Sequence, residues 1–173
     1  MKRLVLVLMI LSAVLPAAIY AKTAKHVTLP DAIRHSLVMM PHYSVFDELK
    51  FQVDGGTVTL TGEVTQPIVK DDAAYAVIHV EGVTNVINNI EVLPLSPDDD
   101  RIRLAVYRAI YVTPALSDRY GFQAQPPIHI IVKNGVVRLE GVVDNNMDRT
   151  LAGMRAQGVF GAFQVENNLH VGA

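Results

Sequence analysis

Displaced on itself by 79 positions, the chain lies over itself without a gap, residues 49–92 on residues 128–171. No other feature constrains its fold as much. Thirteen of the 44 aligned positions are identical, including Val53/Val132, Gly56/Gly135, Val58/Val137, Leu60/Leu139, Gly62/Gly141, Gly82/Gly161 and Asn88/Asn167. Most of the others keep their character. Valines and glycines stay in register over this length only when one structural unit is written twice. The chain is a tandem duplication.

Each copy reads locally as the same sequence of elements. Phe51 and Val53 alternate with Lys50, Gln52 and Asp54; Ile128, Ile130 and Val132 repeat that face. "DGG" (54–56) and "KNG" (133–135) supply the residues that accept positive φ in a tight turn. The return strand places Val58, Leu60, Gly62 and Val64 on one face, with Val137, Leu139, Gly141 and Val143 as counterparts. A helix opening near Pro67 follows, and the second copy's version is weakened by Gly153 and Gly158. Gly82 and Gly161 sit where these helices stop, and a last strand runs through Val86 to Val92 and Val165 to Val171. A further helix precedes each hairpin, at 31–40 and 99–112. Asp71–Asp72 and Asp98–Asp100 read as acids at helix N-termini. The expected fold is α+β: two tandem α-β-β-α-β domains, each a three-stranded mixed sheet with two helices on one face. The boundaries are 28–93 and 101–172, with a proline-containing linker at 94–100. Copy two also carries about ten extra residues within 113–127.

The hairpin signature built on Val53, Gly56, Val58, Leu60, Gly62 and Val64, followed by Gly82, Val83, Val86, Asn88, Ile90 and Val92, resembles the BON domain. Osmotically inducible periplasmic proteins and nodulation proteins give that family its name. Copy two matches at the corresponding positions, with Ala162 in place of Val83. The resemblance covers residues 28–172. It implies a bacterial envelope protein that binds phospholipid or supports other envelope proteins, including under osmotic stress, and it implies no catalytic residues and no cofactor. Many members with two such domains are lipoproteins, but this chain has no cysteine to acylate.

The N-terminus fits export. Lys2 and Arg3 precede the apolar run Leu4 to Leu15, and Pro16 with the small residues after it fits a signal peptide, residues 1–21, cleaved after Ala21. The alternative is a retained anchor, since Leu4 to Ala21 approaches the length of a membrane span. The expected location is the periplasm. The absence of cysteine excludes disulfides, thiolate metal sites and cysteine nucleophiles. Removing Lys2 and Arg3 leaves 13 basic residues against 17 acidic, a net charge of −4 that argues against nucleic acid as a partner.

No spacing of the histidines at 26, 35, 42, 79, 129 and 170 forms a metal site. His129 and His170 fall on the polar sheet face, where they read as solvated. No serine or threonine occupies a nucleophile elbow, so enzymatic activity is not expected. Asn88 and Asn167 fall on the inward face, where an amide needs a backbone partner. On a helical wheel the first helix of copy two turns Ile102, Ala105, Val106 and Ala109 to the core. Arg103, Leu104, Tyr107, Arg108 and Tyr111 occupy its other side, and no acid occurs from Arg101 through Ser117. Tyrosine, leucine and arginine interleaved in this way suit contact with an anionic phospholipid surface, or else a seam against copy one. On the nominally wet sheet face, copy two has Ile131, Val136 and Val142 where copy one has Gln52, Thr57 and Glu63. Those apolar residues imply burial against copy one, a second molecule or an envelope client protein, as in a periplasmic chaperone.

Overall fold

The computed structural model describes residues 27–123 and 125–172, and the proposed export segment lies outside them. Copy one forms α1 (Leu29–Val38), β1 (Glu48–Asp54), β2 (Thr57–Val64), α2 (Pro67–Ile78), β3 (Asn85–Asn88) and β4 (Glu91–Val92). Copy two forms α3 (Pro97–Tyr111), α4 (Pro114–Leu116), β5 (Ile128–Lys133), β6 (Val136–Val143), α5 (Asn146–Gln157), β7 (Gln164–Asn167) and β8 (His170–Val171). A π-helical turn, Ser117–Gly121, follows α4. In each domain a hairpin pairs antiparallel, and the last strand returns parallel to the second hairpin strand. Each domain has its own core. Ile33, Leu37, Val58, Leu60, Val69 and Ala73 build the first. Ile102, Val106, Ile110, Val137, Leu139 and Ala152 build the second.

The final strand of each copy is interrupted, not continuous, and the inward asparagines are the cause. Asn88 donates its amide N–H to the Lys70 carbonyl in α2 (2.8 Å) and accepts from the Ile90 N–H (3.2 Å). That local bond diverts the Ile90 N–H from the ladder, whereas the Asn89 N–H still donates to the Leu60 carbonyl at 2.9 Å. Asn167 repeats both contacts, to Arg149 (2.7 Å) and from Leu169 (3.3 Å). The weak helix former Gly153 also becomes intelligible, because a methyl group there would stand 2.6 Å from the Asn167 amide. Helix propensity yields to the room the asparagine needs.

Two other expectations shift. α3 begins at Pro97, inside the stretch read as linker, with the Ser96 hydroxyl accepting from the Asp99 N–H (3.2 Å). The three aspartates thus occupy its first turn, and Asp99 also accepts the N–H groups of Asn134 (2.9 Å) and Gly135 (2.8 Å), tying down the hairpin turn. By contrast, Asp71 and Asp72 do not lie at a helix start, because α2 opens at Pro67, and Asp72 instead faces His42 at 3.1 Å. The extra residues of copy two are anchored in its core. Leu116 and Tyr120 are buried, and the Tyr120 hydroxyl donates to Asp148 (2.7 Å) while accepting from the Asp144 N–H (2.9 Å). Burial, with Asp148 alongside, pushes this phenol up to about 12.

The repeated glycine of the return strand, Gly62 and Gly141, has φ of 125° and 119°. A methyl group on Gly141 would lie 1.9 Å from the Pro127 carbonyl oxygen, so the strands approach more closely than any side chain allows. Gly141→Ala is therefore expected to destabilise the protein by at least ~2 kcal/mol, read as a lower urea midpoint. A change below ~0.5 kcal/mol would show that the close approach relaxes freely.

Candidate functional site

The outer faces of the two sheets meet. Arg138 of β6, about one-quarter exposed, reaches into domain one to pair with Glu63 and, at 3.2 Å, with Glu48; it also holds Glu140 of its own strand at 2.9 Å. Lys50 bridges Glu48 and Glu140, and Lys133 reaches Glu91 at 2.7 Å. Burial alone would raise the Glu140 carboxyl, but the Asn168 amide, Lys50 and Arg138 together hold it below the usual carboxylate range. Arg138, despite its burial, is driven upward by Glu63 and Glu48.

Beside this cluster, the segment between α1 and β1 lies against the edge of the second sheet. The Ile130 N–H donates to the Val45 carbonyl at 2.7 Å. Phe46 meets the Tyr107 ring edge-on at 6.0 Å, and Tyr43 stacks on His129 at 5.4 Å. His129 is thus not a solvated sheet residue. Its Nδ1 is buried without a hydrogen-bond partner, and desolvation lowers its pKa despite the nearby Asp47 backbone and Glu48.

Contacts within domain two and across this seam relocate several residues that the sequence placed on open surfaces. Arg103 is 5% exposed. It donates to the Val132 carbonyl at 2.6 Å and pairs with Asp100, because its long side chain folds over the helix to the end of β5. Tyr111 is 6% exposed, with its hydroxyl donating to the Ile128 carbonyl (2.7 Å) and accepting from the Ile128 N–H (2.9 Å). Both are structural, so the outward face read for them is corrected. Tyr107 is half-buried against Phe46, which leaves Leu104 and Arg108 open. On the sheet, Ile131 is 1% exposed, cross-strand from Arg138, and Val136 is half-buried. Copy one covers Ile131, which removes it from contact with any second protein. Val142 is 51% exposed.

Two open features remain that the sequence did not single out. Val112, at the end of α3, is 66% exposed and Phe122 is 89% exposed. A methyl group on neighbouring Gly121 would lie 3.5 Å from the Tyr111 carbonyl, so Phe122 emerges at the same end of the helix. The other is an interdomain groove of about 370 Å³ between α1, β1 and the outer face of the second sheet, with Val142 and His170 on one wall. His129 and His170 both line this groove; among the described residues no group of three or more such side chains is placed to hold a metal ion. No described helix is long and apolar enough to cross a membrane.

The fold is two α+β domains whose sheets meet face to face, leaving a groove and exposed faces open. The family model of the BON domain matches twice, over residues 28–94 and 98–173, and the chain belongs to that family. Its members are non-catalytic in type and typically periplasmic or membrane-associated. No curated protein matches the chain. Among solved structures, it is similar to CdsD, a structural protein of the type III secretion system of Chlamydia trachomatis. Identity is 16% over 83% of this chain and 93% of that one, with a TM-score of 0.30. The C-terminal domain of CdsD is similar at 15% identity over 87% of this chain and 100% of that one, with a TM-score of 0.31.

Removing Arg138 leaves Glu48 and Glu140 to share Lys50, and Glu63 with only Lys133 at 3.7 Å, three carboxylates close together between the sheets. Arg138→Ala is expected to cost about 3–5 kcal/mol in urea unfolding, and a cost under ~1 kcal/mol would mean the cluster is solvated. His129 gives a separate pH signature. Its folded pKa lies below the unfolded value of about 6.5, so the unfolded chain binds the extra proton and stability falls as pH drops beneath that value. Unfolding free energies between pH 5 and 7.5 are expected to slope upward with pH, and His129→Gln is expected to flatten part of that slope.

Proposed function

We propose that this protein is a non-catalytic component of the cell envelope that binds phospholipid headgroups at the membrane surface and so supports envelope integrity. One observation carries the reading: an exposed stripe of Leu104, Arg108 and Val112 along α3, continued by Phe122 at its end, in a segment without an acid from Arg101 to Ser117. Arg108 supplies the cation for an anionic phosphate; Leu104, Val112 and Phe122 supply the apolar body that enters the acyl boundary. Fully buried, each such side chain contributes about 1.5–3 kcal/mol. The family's association with the periplasm and membranes, and the N-terminal export pattern, agree with this location. A second reading, a periplasmic chaperone or interaction module for envelope proteins, draws on exposed Val142 and half-buried Val136, since Ile131 is enclosed.

Co-sedimentation of residues 22–173 with anionic and with zwitterionic vesicles, at two salt concentrations, separates the two readings. Selective, salt-sensitive binding to the anionic vesicles is expected. The double variant Arg108→Glu with Phe122→Ser is expected to weaken it about tenfold or more, at unchanged urea midpoint. Unchanged binding in that variant would remove the stripe as the contact, and no binding by the native chain would leave protein interaction as the function.

A further inference from the structure

The duplication places one strand edge twice, and the two edges are treated differently. Ile130 aligns with Phe51 in the repeat. The outward N–H of Ile130 is already taken by the Val45 carbonyl at 2.7 Å, from the turn between α1 and β1 of the other domain. In domain one the two-residue turn closes on the pair Asp54/Thr57, so Asp54, Gln52 and Lys50 bond to β2 while Phe51 and Val53 direct their N–H and C=O groups away from it. The Tyr43 hydroxyl lies at the Leu49 backbone. Beyond it, Phe51 and Val53 have no outward hydrogen-bond partner among the described residues.

This open edge does not face free solvent on all sides. At Phe51 it forms the floor of the 370 Å³ groove, walled by Leu37 and Val38 of α1 on one side and by Val142 and His170 of domain two on the other, while Val53 lies outside the groove lining. Walls on both sides admit a single extended chain more readily than the edge of another folded sheet. The groove is continuous with the domain seam, since Glu48, Lys50 and Glu140 line both. Its charges are unbalanced in one direction. Glu48 and Glu140 are engaged by Lys50 and Arg138, whereas Arg34, exposed above the Phe51 ring at 5.9 Å, has no ion-pair partner among the described residues.

We propose that the β1 edge is a strand-addition site, taking an extended segment of a partner polypeptide with apolar residues at alternate positions and an acidic residue that meets Arg34. The partner's backbone supplies hydrogen bonds to Phe51 and Val53, as Val45 does to Ile130 within the chain. Alternate side chains of an extended strand point to opposite faces, so its apolar side chains meet Val142 on the domain-two side while the acidic residues between them turn to Arg34 on the α1 side. The site is separate from the α3 stripe, so it stands or falls without the lipid reading.

The probe is an N-acetylated, C-amidated hexapeptide of alternating valine and glutamate, titrated into residues 22–173 and followed by amide NMR shifts. Binding is expected with shifts confined to α1, residues 49–53 and residues 140–142. N-methylation of alternate peptide amides is expected to weaken it about tenfold or more, because the backbone bonds are lost. Arg34→Glu, an exposed substitution on α1, is expected to reverse the preference toward a second hexapeptide, of alternating valine and lysine. Three results would overturn the proposal: no shifts with either peptide, equal affinity for the N-methylated form, or peptide-independent dimerisation that broadens residues 49–53. The last would make the edge a contact between copies of this chain.

Discussion

A guanidinium enclosed between two sheets needs its charge matched, because an unpaired charge in that setting costs several kcal/mol. Arg138 is in that position, and Glu48, Glu63 and Glu140 supply the match from both domains. Such a cluster adds little net stability over a well-packed apolar seam, yet it penalises every misaligned docking by leaving a charge unpaired. It explains why the two sheets meet on their charged faces while their helices face outward. The orientation of one domain against the other depends on that pairing.

Once the sheets are clasped, the remaining surfaces follow. The segment after α1 closes the β5 edge and half-covers Tyr107, so the outward side of α3 is reduced to a narrower stripe. The same docking leaves β1 as an unbonded edge, but places it at the bottom of a groove with domain two as a wall. Exposed strand edges invite uncontrolled pairing, and natural proteins cover or restrict them. Here one edge is covered outright and the other is recessed. The two copies have thereby taken different roles, although their hairpins remain nearly superimposable in sequence.

Copy two has diverged further from the common unit. Its extra residues feed Leu116 and Tyr120 into the core, and the Tyr120–Asp148–Arg119 contacts bind that loop to the start of α5. The insertion therefore adds buried area to a domain whose α5 carries Gly153 in its interior and is capped by Gly158. It also presents Phe122 beside the end of α3. One insertion thus both stabilises the domain and supplies an exposed aromatic to the surface proposed to meet lipid.

The sequence by itself determined the duplication, the order of elements in each copy, the hairpin turns, and the backbone work of Asn88 and Asn167. Each of these follows from local periodicity or from the needs of a few neighbouring groups, and periodicity survives translation into one dimension. The glycine at 62 and 141 was visible as a signature, but the reason for it, a carbonyl pressed against its Cα, required the partner strand. Which face of α3 and of the second sheet stayed open was decided only in three dimensions. A helical wheel assigns Arg103 and Tyr111 outward by angle alone. The structure turns both inward because long side chains reach across a helix to carbonyls that sequence spacing does not reveal. Ile131 read as a sticky surface residue for a different reason: its cover comes from another domain, and no local pattern records the docking of two separately folded units.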